Sequence, residues 1–254
     1  MRAIERKMAV LEFVRRRQLC ATREIVETLG IPKVTAHRLL TELQSEELLE
    51  KIHGGVRATS TSRARRNFNR RLSENADAKR EIARRALQLV QPGSAVFLDA
   101  STTCLQLARE LARADGPPCA IVSDSSTLVH ELCGCAHLRI VCTGGELNHE
   151  LNLLAGALAL ETISQLNFSQ AFVSAGGASL QHGATTWETD IAANVRAVRA
   201  RAARIYLLAD ASKFAKVAPH TIAPLTEFDA VIVDAGLPET LRADLIGAGV
   251  KILG

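Results

Sequence analysis

The order of helix breakers in residues 22–57, TREIVETLGIPKVTAHRLLTELQSEELLEKIHGGVR, restricts the fold of this chain more than any other feature. A short amphipathic run stops at Gly30, a residue able to take the positive φ of a helix end. Pro32 follows, and a proline in the first turn of a helix forfeits no hydrogen bond. The spacing predicts one helix capped by the Thr22 hydroxyl, a tight turn, and a second helix over about 33–47. Ile25, Val26 and Leu29 supply the inner side of the first; Val34, Leu39, Leu40 and Leu43 supply that of the second. Residues 48–52 alternate as a strand, His53-Gly54-Gly55 signals a turn, and Val56-Arg57 leads back, which makes a β-wing. Upstream, Ile4, Met8, Leu11 and Val14 fall on one face of a helix over 2–18, with Arg15, Arg16 and Arg17 at its C-terminal end, where the helix dipole favours cations.

Two helices, a turn and a wing in this order lay one helix in the DNA major groove and a loop beside it. Lys33, Thr35, Ala36, His37 and Arg38 occupy the first turns of the second helix. Arginine suits a bidentate contact to guanine, and threonine suits a phosphate or a thymine methyl. Thr22, Arg23 and the wing-tip His53 complete the candidate DNA contacts. The charge agrees. Residues 1–90 carry a net +9 (20 Lys+Arg, 11 Asp+Glu), against −5 in the remainder (11 and 16). A basic head on an acidic body fits a polyanionic partner for the head alone.

Residues 58–71 have five arginines and almost no apolar periodicity, as a linker or arm would. The expected organisation is a DNA-binding domain over 1–57, a linker over 58–75, and a second domain over 76–254. In the latter, apolar runs at 95–98, 120–122, 138–142, 171–174, 205–209 and 230–233 alternate with helical stretches such as 103–114 and 190–203. This rhythm predicts an α/β domain with a mainly parallel sheet and helices on both faces. Polar residues gather where each strand meets its loop: Asp99, Ser101, Thr102 and Thr103; Ser123, Asp124 and Ser125; Gly144, Gly145 and Glu146; Gly176 and Gly177; Asp210 and Lys213. Ligands of open α/β sheets sit at these carboxyl ends of strands. Hydroxyls and backbone N–H groups at a helix start bind anions. A phosphorylated small molecule is the expected ligand, with Lys213 offering positive charge.

Two other readings compete. A sugar-phosphate isomerase would need a general base, for which Asp99, Asp124, Glu146 and Asp210 are candidates by type. A metal or redox regulator would use Cys133, Cys135 and His137, but this cluster has no second ligand pair at zinc-site spacing, so no metal and no cofactor are expected. The charged N-terminus lacks the apolar stretch of a signal peptide, and no run reaches the roughly 18–20 apolar residues of a membrane span. A cytoplasmic protein is expected, its cysteines reduced.

Taken in order, the motifs resemble those of the DeoR-type bacterial repressors. They are HGG at 53–55, Phe68 and Arg71 as F-x-x-R, Lys79 with Ile82-Ala83, LDASTT at 98–103, VSDS at 122–125, TGGEL at 143–147, Gly176-Gly177, and LADASKF at 208–214. The resemblance implies a winged helix-turn-helix joined to a ribose-phosphate-isomerase-like domain. It also implies a dimer or tetramer on double-stranded operator DNA, released by a phosphorylated sugar or polyol. The chain departs from the family pattern in three places. The family's Thr-Ile-Arg-Arg-Asp-Leu reads Thr35-Ala36-His37-Arg38-Leu39-Leu40, its Gly-Thr-Thr loop reads Ser101-Thr102-Thr103, and Ile191 and Val195 stand where it often has Glu and Lys, with Glu188 and Arg196 close by.

Overall fold

The computed structural model describes residues 3–17, 19–45, 49–52, 55–58, 63–113 and 116–254. It divides into two compact units, Met1–Arg66 and Asn67–Gly254. The first contains α1 (Ala3–Arg17), β1 (Leu19–Cys20), α2 (Thr22–Leu29), α3 (Lys33–Ser45), β2 (Leu49–Ile52) and β3 (Gly55–Ala58). β3 is the middle strand of an antiparallel sheet, pairing with β1 and with β2, so β2 and β3 form the wing. His53 and Gly54 at the wing tip, and residues 46–48 before β2, lie outside the described residues.

The core of this unit is Val10, Val14, Ile25, Leu39, Leu40, Leu43 and their neighbours. Three expectations change. The N-cap of α2 is Ala21, not Thr22; alanine has no side-chain acceptor, and the Ala21 N–H donates instead to the Glu24 carboxylate at 3.1 Å. Val34 is 82% exposed and Ala36 is buried. The inward stripe of α3 runs through 36, 39, 40 and 43, and position 34 lies roughly 200° round the helix from 36 at about 100° per residue. In α1, Met8 is exposed and Val10 takes the inner place. Gly30 ends α2 at φ 61°, as its position implied.

Of the stretch expected to be a linker, Arg63–Ser73 is helical (α4). The second unit continues with α5 (Ala76–Leu87), β4 (Ala95–Leu98), α6 (Thr102–Leu111), β5 (Cys119–Ser123), α7 (Ser126–Leu132) and β6 (Leu138–Cys142). Then come β7 (Glu146–Asn148), β8 (Leu153–Ala155), α8 (Ala157–Gln165), β9 (Gln170–Ser174), β10 (Gly177–Ser179), β11 (Gly183–Thr186) and α9 (Thr189–Arg199). β12 (Ile205–Leu208), β13 (His220–Ala223), β14 (Ala230–Ile232), α10 (Glu239–Gly247) and β15 (Ile252–Leu253) complete it. Seven parallel strands form the main sheet in the order β15-β14-β12-β9-β4-β5-β6.

Alternation along these strands splits the core in two. Phe97, Val122, Val173, Leu207 and Val231 face one side, with α8, α9, α10 and the small antiparallel sheet β10-β11-β13. Val96, Leu98, Ile121, Phe172, Leu208 and Ile232 face the other, with α5, α6 and α7. Both faces are therefore covered, which is why the strands read as continuous apolar runs. Buried Lys79 of α5 is a structural cation: its ammonium donates to the carbonyls of Arg71 and of Glu74 (2.6 Å), at the end of α4. Burial drives its pKa down to about 8.

Candidate ligand site and nucleic-acid interface

On α3 the side chains of Lys33, Val34, His37 and Arg38 are exposed, and Thr35 is half-buried. Among the described residues Arg38 pairs with Glu42 on its own helix, at 3.4 Å, and both side chains remain open to solvent. Lys51 of β2 donates to the Thr41 hydroxyl at 3.2 Å, which ties the wing to the helix. Thr22 is half-buried at the start of α2, and Arg23 is exposed and bonded to Glu27 at 2.6 Å. The surface thus presents cations and donors on the helix that the sequence nominated. His53 lies outside the described residues.

In the second unit the ends of β4, β5 and β9 open into a cavity of about 420 Å³. Asp99 builds its mouth. One carboxylate oxygen accepts from the Ser101 N–H (3.0 Å) and the other from the Ser174 N–H (2.6 Å), which locks two loops together. The Ser101 hydroxyl caps α6 by accepting from the Cys104 N–H at 3.1 Å. The Thr102 and Thr103 amides in the first turn of α6 have no acceptor among the described residues. A helix start with unclaimed N–H groups carries partial positive charge and attracts anions.

Cations surround this helix start. Arg71 lies over the Phe68 ring, 5.7 Å from its centroid, and donates to the Glu150 carbonyl at 3.4 Å. Burial, then the nearby Arg70, lower its pKa. Lys213 lines the cavity and makes no hydrogen bond or ion pair among the described residues; burial is the main cause of its lowered pKa. Carboxylates act the other way: Asp210 raises the pKa of Lys213, and Glu188, Asp99 and Glu74 raise that of Arg71.

The nominated residues divide. Asp99, Ser101, Thr102, Thr103, Asp124, Gly176 and Lys213 line the cavity. Ser123, Ser125, Gly144, Gly145, Glu146 and Gly177 are not among its lining residues. Ser123 donates to the Leu98 carbonyl at 2.7 Å, and Ser125 caps α7. Glu146 pairs with Ala155 in the β7–β8 hairpin. Gly145 has φ 109°, and a Cβ there would stand 2.4 Å from the Ala155 carbonyl oxygen; at Gly177 it would stand 2.3 Å from that of Lys216. These two glycines admit neighbouring backbone. The remaining wall comes from Leu151, Leu153, Trp187, Ile191 and Val195, with Arg70, Glu74, Glu188 and Lys216 at its polar parts. Among these, Ile191, Val195 and Glu188 stand where the chain departs from the family pattern, and the single tryptophan in the polar run ATTWETD is the further sequence signal.

The carboxylates nominated as bases are placed differently. Asp99 is committed to two amides, and Asp210 accepts from the Ser212 N–H and from Asn75. Glu146 is exposed outside the cavity. Each member of the cysteine cluster bonds a backbone carbonyl: Cys133 to His130, Cys135 to Ala112, His137 to Leu111. Among the described residues, no helix is long and apolar enough to cross a membrane.

A basic winged helix-turn-helix followed by an α/β unit with an anion-attracting cavity defines a ligand-sensing, DNA-binding regulator. Residues 6–62 match the DeoR-like helix-turn-helix domain, and residues 74–235 match the DeoR C terminal sensor domain. The chain is 30% identical over 249 residues to the HTH-type transcriptional regulator GlpR of Haloferax volcanii, covering 98% of this chain and 96% of that one. It is 29% identical over 250 residues to the HTH-type transcriptional repressor GlcR of Bacillus subtilis, covering 98% and 95%. Among solved structures it aligns with ribose 5-phosphate isomerase A of Methanocaldococcus jannaschii, at 18% identity over 55% of each chain and a TM-score of 0.41. The chain belongs to the DeoR family: it is a DNA-binding transcriptional regulator and not an isomerase.

Proposed function

We propose that the protein represses a carbohydrate or polyol catabolic operon and leaves its operator when a phosphorylated sugar enters the cavity of the second unit. The observation that carries this reading is the pair of unclaimed amides at Thr102 and Thr103 beside Arg71 and Lys213. These are donors and charges suited to a phosphate dianion. A volume of about 420 Å³ lies within the range of small-molecule sites, roughly 300–1,000 Å³. GlcR, a relative over almost the whole chain, bears the name of a repressor. Lys33, Thr35, His37 and Arg38, with Thr22, Arg23 and His53, are the proposed DNA contacts. A homo-oligomer would present paired heads to a two-fold operator, and its place is the cytoplasm, with the DNA.

A thermal-shift screen tests the ligand class, because a ligand that binds the folded state raises Tm. At least one sugar phosphate raises Tm by several degrees, and its unphosphorylated parent at the same concentration does not. Equal shifts from parent and phosphate, or stabilisation by the parents alone, would overturn the assignment of a phosphate site.

A further inference from the structure

Two buried side-chain oxygens, on Asp124 and Asn194, have no hydrogen-bond partner among the described residues, and of the two residues Asp124 lines the cavity. Asp124 follows β5 and is only 1% exposed, yet it lines the cavity. Asn194 of α9 donates through Nδ2 to Asp124 Oδ2 at 2.9 Å and to the Leu154 carbonyl at 2.9 Å. Asp124 Oδ1 has no partner among the described residues. Asp99 and Asp234, two other buried acids at strand ends, have both oxygens taken by backbone amides. An unsatisfied buried polar atom costs about 1–3 kcal/mol. A group held in that state by a neighbouring amide, at the edge of a cavity, is pre-set for a ligand atom.

We infer that Asp124 reads a hydroxyl group of the bound ligand, donating to it from Oδ1, so that the cavity selects phosphorylated polyols and sugars over plain phosphate esters. This rests on the phosphate reading of the cavity given above and adds the second contact that defines the ligand class. The environment sets the protonation state. Burial, then the adjacent Asp99, push the Asp124 pKa up to about 8, outweighing the Asn194 side chain and the Ala100 amide, which favour the ionised form. The groups that face its carboxyl are Asp99 and the Ala100 amide from the end of β4 and Asn194 from α9. At neutral pH the acid keeps its proton. It then accepts from Asn194 on one oxygen and donates from the other, which a carboxylate cannot do. Above about pH 8 it ionises, and the ligand hydroxyl, itself a donor, turns its hydrogen toward the carboxylate, so the contact outlasts the change of protonation state.

Trp187, the single tryptophan of the chain, lines the cavity at 61% exposure and reports binding through its fluorescence. The titrants are ethyl phosphate, which has no hydroxyl on carbon, and glycerol 3-phosphate, ribitol 5-phosphate, ribose 5-phosphate and glucose 6-phosphate. At pH 6.5 the tightest hydroxylated ester is expected to bind at least 10-fold more tightly than ethyl phosphate. Asp124→Ala reduces that ratio to 3-fold or less. Asp124→Asn supplies an amide donor in the same place and keeps the ratio within 3-fold of wild type. If Asp124→Ala fails to fold, Asp124→Leu, of similar shape and without polar atoms, takes its place and is expected to give a ratio of 3-fold or less. The inference is overturned if Asp124→Ala keeps a 10-fold preference, if Asp124→Asn loses it at pH 6.5, or if no hydroxylated ester outbinds ethyl phosphate. Failure of every ester to bind wild type would instead remove the phosphate reading beneath it.

Discussion

Ser101→Asp is expected to weaken binding of a phosphorylated ligand at least about 100-fold while the protein stays folded. Ser101 caps α6 through its hydroxyl, and aspartate caps a helix as well as serine does. The local backbone therefore has no reason to change. What changes is charge. A carboxylate beside the Thr102 and Thr103 amides occupies the positive end of the helix and repels the incoming phosphate. Two unit charges about 4 Å apart interact by roughly 4 kcal/mol at the effective dielectric of a protein surface. A phosphate dianion exceeds that, even when Arg71 and Lys213 screen part of it. The variant should keep its Tm, bind operator DNA with wild-type affinity, and no longer respond to the ligand. Trp187 fluorescence for the ligand and fluorescence anisotropy for DNA separate the two properties. A variant that still binds the ligand within 3-fold of wild type would place the phosphate elsewhere.

Arg38→Ala carries the other large effect. Arg38 sits on the exposed face of α3, and its pair with Glu42 is open to solvent. Such i,i+4 pairs contribute only about 0.3–0.5 kcal/mol, so thermal stability should hardly move. A bidentate contact to guanine is worth about 1–3 kcal/mol, which corresponds to roughly 5- to 150-fold in operator affinity. Loss should be confined to the specific site, with discrimination against unrelated DNA reduced. Lys33→Ala is the contrasting variant: taking one ammonium away from the phosphate backbone lowers affinity for all sequences and shallows the salt dependence by about one unit. Anisotropy titrations at two salt concentrations distinguish the two. Equal losses on operator and random DNA for Arg38→Ala would assign Arg38 to the backbone instead.

What could be read in the sequence follows from the periodicities involved. The main sheet was legible because its buried parallel strands are uninterrupted apolar runs: AVFL at 95–98 and LRIVC at 138–142 have the same limits in the structure. The hairpin β7–β8 and the sheet β10-β11-β13 were not, since ELN, GAS and GATT are too short and too mixed to show a period. α4 was hidden because RARRNFNRRLS places Phe68 and Leu72 one turn apart among many arginines. The burial of Ala36 in place of Val34 shows a limit of another kind. Hydrophobicity favours the larger side chain for the interior, but the phase of the helix is set by Leu39, Leu40 and Leu43.

The cavity followed the same logic. Its strand ends carried local polar signals, so Asp99, Ser101, Thr102, Thr103, Asp124 and Lys213 were nominated from spacing. Its apolar wall comes from Leu151, Ile191 and Val195, on segments whose approach depends on the tertiary fold. Ser123 and Ser125 carry the same polar signal but spend it on holding loops. Hydroxyls that bind a ligand and hydroxyls that bind backbone are indistinguishable until the partners are known.

DNA binding by the first unit and phosphate-ester binding by the second are expected to oppose each other. The most direct test is a thermodynamic cycle on the full chain. Operator affinity is measured with and without a saturating concentration of the tightest sugar phosphate, and that ligand's affinity with and without saturating operator. Linkage requires the two ratios to agree, and at least a 10-fold loss of operator affinity is expected, matched by an equal loss of ligand affinity on DNA. Operator affinity unchanged by a ligand shown to occupy the cavity would mean that the two units bind independently.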